Sequence, residues 1–299
     1  MTQLQKYTWL IETIRRAGRI THKDLSDRWE RAKELSDCKP LHRSTFNRWR
    51  KSIFDQFGII IECQTTGGYL YFIENPEDID DNKLKKWMLD SFAVGNLIGE
   101  NLTLKNRILV SKIPSGADHL KTILDAMRDN HALDITYKPF KHTIGYTFSL
   151  EPYCVKLHDY RWYVLGRNNR NEVRLYSLDR IEEAHIAERE FELPTDFDAE
   201  AFFAPFYGVV IGSDVKPRRI VLRAYGAHKY YMNTLPIHES QMLIADNETH
   251  ADYELYVAPT YDFVMKLLQF GDMIEVISPD TLRATMKEWI SKMQEFYKN

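Results

Sequence analysis

The stretch "DYRWYVLGRNNRNEVRLYSLDRI", residues 159–181, alternates large apolar residues with arginines and tyrosines and turns once, around residues 168–171. Alternation with period two puts successive side chains on opposite faces, so the segment reads as a β-hairpin. With a turn of two or four residues, Arg167 faces Glu172, Leu165 faces Arg174, Tyr163 faces Tyr176 and Arg161 faces Leu178. One face then carries Arg161, Tyr163, Arg167, Arg174 and Tyr176; the other carries Trp162, Val164 and Gly166 against Val173, Leu175 and Ser177. The second is almost wholly apolar and is the expected core side. A face of guanidinium groups and rings suits stacked bases and phosphates. It equally suits a solvated sheet edge on which Glu172 and Asp179 neutralise the arginines, and spacing does not separate the two. A three-residue turn shifts the pairing by one and weakens the ligand reading.

Around this hairpin lie further strand-like runs with no helix between them: "ALDITYKPF" (132–140), "YTFSLEPYCVKLH" (146–158) and "EEAHIAE" (182–188). Short strands at regular spacing predict a small β-barrel. From residue 219 the pattern becomes β, α, β, β, α, β and a last helix, a ferredoxin-like order.

The N-terminal part reads differently. Residues 4–17 place Leu4, Tyr7, Leu10, Ile11 and Ile14 on one helical face, and Gly18 stops the helix. "THKD" (21–24) caps a second helix that begins at His22 and could continue towards Leu35. A third helix, over residues 44–57, has Phe46, Trp49, Ile53 and Phe57 as one narrow apolar stripe. Its other side holds Ser44, Thr45, Asn47, Arg48 and Lys51, with Arg43 and Arg50 at the flanks. Short hydrogen-bonding residues mixed with long cations are what a helix needs to touch phosphates and read base edges. Polar outer faces are also the rule on any amphipathic helix. The order of elements, with "IIIEC" and "GGYLYFI" as a trailing hairpin, favours a winged helix-turn-helix that binds duplex DNA.

Charge agrees with that division. The 299 residues are 44% hydrophobic and 28% charged, with a formal net charge of −3, which excludes a uniformly basic nucleic-acid coat. Residues 1–75 carry 13 Lys/Arg against 9 Asp/Glu, whereas the remainder carries 27 against 34. An anionic partner is therefore expected at the N-terminal part. Three cysteines without CxxC spacing support neither zinc nor a disulfide framework. No metal or other cofactor is expected, and the absence of a leader or long apolar run points to the cytoplasm. There is no GxSxG, HExxH, Walker loop or GxGxxG, and neither His158–Asp159 nor His238–Glu239–Ser240 makes a catalytic pair, because neighbours on a strand point apart. The chain is expected not to be an enzyme, with a nucleotide-processing activity as the remote alternative.

Two resemblances add to this. "DLSDRW", "LHRSTFNRWRKSIFDQFGIIIE" and "GGYLYF" resemble the winged helix-turn-helix of DeoR-type bacterial regulators, with "ERAKELSDCK" as an insertion. "ITYKPF", "LEPYCVKLHDYRWYVLGR" and "VRLYSLDRI" resemble the WYL domain, with Trp162, Tyr163 and Val164 at the name-giving tripeptide, a conservative departure at the third position. "FDAEAFFAPFYGVVIG" resembles the linker that follows such a domain, while "LPIHESQ" and "GDMIEVISPDTLR" resemble its C-terminal extension. The resemblance implies an Sm/SH3-like barrel that senses a nucleic-acid or nucleotide ligand. Carried over, it implies a ligand surface including Tyr137, His158, Tyr163, Arg174 and Arg180, to which the pairing adds Arg161 and Tyr176.

The expected organisation is thus multidomain α+β: a winged helix (1–76), a helical linker and dimerisation segment (77–130), a WYL barrel (131–192), a linker (193–216) and an extension domain (217–299). In residues 77–130, Leu84, Trp87, Met88 and Phe92, continued by Ala93 or Asn96, form an apolar face suited to pairing with a second copy. The expected function is a homodimeric transcriptional regulator on a palindromic operator, of phage-defence or DNA-damage genes, modulated by its ligand. An RNA- or protein-binding module without sensing is the alternative.

Overall fold

The computed structural model describes residues 2–100, 107–109, 117–140, 144–212 and 214–298, in a mixed α+β arrangement with several antiparallel sheets. The chain divides into two compact units, residues 1–111 and 112–299.

The first unit begins with α1 (Gln3–Ala17), β1 (Ile20–Thr21) and α2 (His22–Arg31). Gly18, at φ 68°, ends α1, a left-handed conformation that costs glycine little. Thr21 caps α2 by accepting from the Asp24 N–H. α2 does not run on to Leu35. It breaks at Ala32, and α3 (Lys33–Ser36) follows as a separate turn within the apparent insertion. Next come α4 (Arg43–Phe57), β2 (Ile61–Gln64), β3 (Leu70–Ile73), α5 (Glu77–Asp80) and α6 (Lys83–Glu100). The sheet order is β1-β3-β2.

The apolar stripe of α4 enters the core as its spacing predicts: Phe46 and Ile53 are fully buried and Trp49 nearly so. Burial of each such side chain contributes roughly 1.5–3 kcal/mol. Around Trp49 the rings of Tyr7 and Trp29 pack edge-on, at 6.3 and 5.1 Å. On α6 the expected apolar face is divided, its continuation at Ala93 and Asn96 being buried while Leu84 and Trp87 stay exposed. Leu89 turns inward with them, and Asn96 Nδ2 donates to the Gln5 carbonyl and Thr8 Oγ1 at 3.1 Å. Ser115 and Gly116, whose residue types predict a loop ahead of the next helix, lie outside the described residues.

The second unit opens with α7 (Leu120–Arg128), then β4 (His131–Tyr137), β5 (Tyr146–His158), β6 (Arg161–Asn168), β7 (Val173–Ser177) and β8 (Ile181–Glu190). They form one antiparallel sheet in the order β7-β6-β5-β4-β8. Its core gathers Leu133, Ile135, Leu150, Val164 and Leu178, with Ile123 and Ala126 of α7. After α8 (Ala199–Phe203) come β9 (Arg218–Tyr225), α9 (His228–Thr234), β10 (Met242–Asp246), β11 (His250–Val257), α10 (Tyr261–Gln269), β12 (Ile274–Ser278) and α11 (Asp280–Glu295). The four strands are ordered β10-β11-β9-β12, all antiparallel.

The register of β6 against β7 corrects the pairing expected from a two- or four-residue turn. Val164 faces Tyr176, Leu165 faces Leu175 and Gly166 faces Arg174. The loop is three residues long, closed by Asn168 N–H donating to the Glu172 carbonyl at 3.0 Å. Asn168 Oδ1 accepts from the N–H groups of Arg170 and Glu172, and Asn171 takes a positive φ of 61°. Asparagine tolerates that conformation, and three-residue hairpin loops call for it. The slip moves Tyr176 onto the core face with Val164.

Candidate functional site

Two surfaces carry the residues singled out in the sequence, one in each unit. On α4, Arg43, Ser44, Asn47, Arg48 and Lys51 are exposed and Thr45 is partly so. Arg50 has another task. Its Nε donates to the Ile61 carbonyl at 2.9 Å, and its guanidinium lies over the rings of Phe46 and Tyr71, at 5.8 and 5.4 Å. It ties the hairpin β2–β3 to α4. Arg19 does the same from β1's side, hydrogen-bonded to Gln64 and over the Phe72 ring at 5.1 Å. His22 packs edge-on against Phe46; burial, and then the Arg43 charge, lower its pKa.

In the second unit the seven expected ligand residues do not form one continuous surface. Tyr137 and Tyr176 are core residues, 7% and 6% exposed, with ring centres 5.3 Å apart. Burial raises both phenols. Arg174 projects at the loop end and pairs with Glu172 at 3.0 Å, while Tyr176 OH accepts from Asn168 Nδ2. Arg161 lies 3.8 Å from Asp179. The neutralising carboxylates expected for a plain sheet edge are thus in place.

Arg180 is different. Its guanidinium sits 3.7 Å above the Phe140 ring, and its Nε is buried without a hydrogen-bond partner among the described residues. A cavity of about 320 Å³ adjoins it, lined by Lys138, Pro139, Phe140, Asp179, Ile181 and Glu182. An unmet buried donor costs about 1–3 kcal/mol, more when charged, so an acceptor from outside would be stabilising there. Burial also raises the Tyr163 phenol, which senses Arg161, Asp179 and Arg180.

His158 stands apart again, with β5's Lys156 against the segment that joins the two sheets. Lys156 Nζ donates to the Gly208 carbonyl at 2.8 Å and lies 4.0 Å from the Phe203 ring centre. His158 meets Tyr207 edge-on at 5.7 Å. From α10, Asp262 accepts from the N–H groups of Val209 and Val210, at 2.8 and 2.9 Å. Burial lowers the pKa of Lys156 and His158, and raises that of Tyr207 to about 12.

The family model described as WYL domain matches residues 118–186, and that described as WCX domain matches residues 216–294. The chain contains a WYL domain and a WCX domain. The WYL domain therefore comprises α7 and the five-stranded sheet, and the WCX domain the four-stranded sheet with its helices. Among solved structures, the chain is similar to proteasome accessory factor B/C (PafBC) of Arthrobacter aurescens, at 17% identity over 85% of this chain and 41% of that one, with a TM-score of 0.32. It is also similar to a CRISPR Cas-related protein, at 12% identity over 99% of this chain and 87% of that one, with a TM-score of 0.41. The chain thus spans less than half the length of the PafBC chain. No curated protein matches.

Sequence reasoning missed Asn168, which sets the hairpin register, and Phe140, which covers Arg180. It also missed Glu151, 6% exposed, which accepts from Arg167 and Arg189 at 2.6 Å each. The doubled asparagine in "RNNRN" was the available signal for the first; the others need a third dimension. Among the described residues no group of three His, Cys, Asp or Glu side chains could hold a metal, and no helix is long and apolar enough to cross a membrane.

Proposed function

We propose that the chain is a DNA-binding transcriptional regulator, not an enzyme, whose WYL domain senses a nucleic-acid or nucleotide ligand. In this reading the first unit is a winged helix-turn-helix, with α4 in the major groove and β2–β3 as the wing. The WYL sheet is an Sm/SH3-like barrel, and the WCX strand order is the ferredoxin-like one. What carries the reading is α4: its inner stripe is buried, five of its six expected contact residues are exposed, and Arg50 locks the hairpin beside it. A cytoplasmic homodimer on a palindromic operator, with half-sites a whole turn apart, follows from two such heads related by a two-fold axis.

For the ligand, the support lies in Arg180, a cation with an unmet buried Nε beside an aromatic ring and an open cavity. Arg161 and Tyr163 lie closest in kind; Arg174, occupied by Glu172, is the outer edge of the surface. The test is operator binding by the full chain across a salt series, with and without short single-stranded oligonucleotides. Arg48→Ala and Lys51→Ala should each weaken operator binding and reduce the salt slope by about one. Arg180→Ala should remove the response to oligonucleotide. Unchanged affinity and slope in the first pair would take α4 out of the interface. A response that survives Arg180→Ala would take this cavity out of sensing.

A further inference from the structure

A second cationic cavity lies in the first unit, among α1, α2 and α6. It encloses about 310 Å³, within the range of small-ligand sites, and Trp9, Thr13, Ala93 and Asn96 contribute to its floor. Three guanidinium groups line it: Arg16 from α1, and Arg28 and Arg31 from α2. The one lining carboxylate, Glu12, is already engaged by Arg15 at 3.3 Å and by Arg16 at 3.5 Å. Neither Arg28 nor Arg31 has a carboxylate partner or a side-chain hydrogen bond among the described residues. Thr13 and Trp9 also line the cavity, and neither the Thr13 hydroxyl nor the Trp9 indole N–H has a hydrogen-bond partner among the described residues.

The plain alternative is that these arginines only answer the helix dipoles. Arg16 is in the last turn of α1, and Arg28 and Arg31 in the last turn of α2, where cations are favoured. That explains their positions along each helix. It does not explain why three of them, from two helices, converge on one concave site whose lining offers a single carboxylate, Glu12. The lining carries an excess of two positive charges. Two unpaired forks and two neutral donors match the oxygens of a phosphate group, and a charge excess of two matches a terminal phosphomonoester rather than a backbone diester.

We infer that this cavity binds a phosphate dianion, either free phosphate or the terminal phosphomonoester of a small ligand. The site would join α6 to α1 and α2 through one anion, and it shares no residue with the Arg180 cavity.

Calorimetric titration of the full chain with inorganic phosphate and with ribose 5-phosphate, at constant ionic strength set by chloride, tests it. Neither probe carries a base for the WYL surface. Saturable binding is expected. The double variant Arg28→Ala, Arg31→Ala should weaken it about a hundredfold, about tenfold for each guanidinium removed. Should that variant unfold, Arg28→Gln alone should weaken binding about tenfold. A clear preference for ribose 5-phosphate identifies the ester as the ligand class; equal affinities identify phosphate itself as sufficient. Absence of binding by either probe, or binding that the arginine variants leave intact, overturns the inference. So does a loss of operator affinity in the double variant without any phosphate binding by the wild type, which would make these arginines diester contacts.

Discussion

Lys156 of the WYL domain and Gly208 of the connecting segment are joined by a 2.8 Å hydrogen bond from Nζ to the carbonyl oxygen. The backbone at Gly208 runs between that lysine, the His158 ring and the Asp262 carboxylate. A Cβ at Gly208 would fall on Asp262 Oδ2 and lie 2.9 Å from His158 Nε2. Gly208→Ala is therefore expected to push the segment off Asp262, at a cost of about 1–3 kcal/mol for the overpacking. Thermal unfolding of the variant should show a lower Tm, and a Tm equal to the wild type would mean that the segment yields freely.

Three histidines are packed so that burial holds them neutral: His22, His158 and His238, each with its pKa below the ordinary 6.5. Around His158 stand Asp159 and Asp262, which oppose the shift, and Lys156 and Lys266, which support it. Around His238, Glu239 opposes and Lys156 supports. The unfolded chain takes up protons at these sites near pH 6.5 and the folded chain does not. Their contribution is thus complete above that value and is lost as pH falls from 6.5 through the folded pKa values. Tm should decline between about pH 7.5 and 5.5, and His238→Gln should flatten that decline. An unchanged slope in the variant would show that His238 does not titrate out of the fold.

Glu151 is buried between two arginines whose outer ends reach solvent, Arg167 being 39% and Arg189 51% exposed in its side chain. Burial would raise the Glu151 pKa, but the hydrogen bonds and charges of Arg189 and Arg167 outweigh it and hold the carboxyl below its ordinary range. Glu151→Gln removes the charge and leaves the shape. After allowance for solvent screening at the arginines, the loss should be about 1–2 kcal/mol. Chemical denaturation near neutral pH measures it, and the difference should shrink as pH falls below 4.5, where the unfolded wild-type carboxyl is protonated.

The cysteines should differ in reactivity. Cys38 is exposed, whereas burial pushes the Cys154 thiol up to about 11. Thiolate is the reacting form. Maleimide labelling of the native protein at about pH 7.5 should modify Cys38 well before Cys154, and denaturation should equalise them. Early modification of Cys154, read by peptide mass, would contradict its enclosure.

Much of this architecture is legible one segment at a time. The 3-4-4 spacing of Phe46, Trp49, Ile53 and Phe57 places α4 because helical periodicity is local. The period-two runs place β4 to β8 for the same reason, and Gly18 and Thr21 mark helix ends through their own backbone chemistry. What depended on the rest of the molecule was side-chain company. One residue more or less in a hairpin loop exchanges the faces of a strand, and Asn168 decided that count through four hydrogen bonds that composition does not announce. For the same reason Tyr176 became core. The sequence by itself determined which segments are helix or strand, since that is written in near-neighbour spacing. Only the tertiary structure decided which cations find a carboxylate and which, like Arg28 and Arg31 among the described residues, line a cavity without one, because pairing is set by distances between residues far apart in the chain.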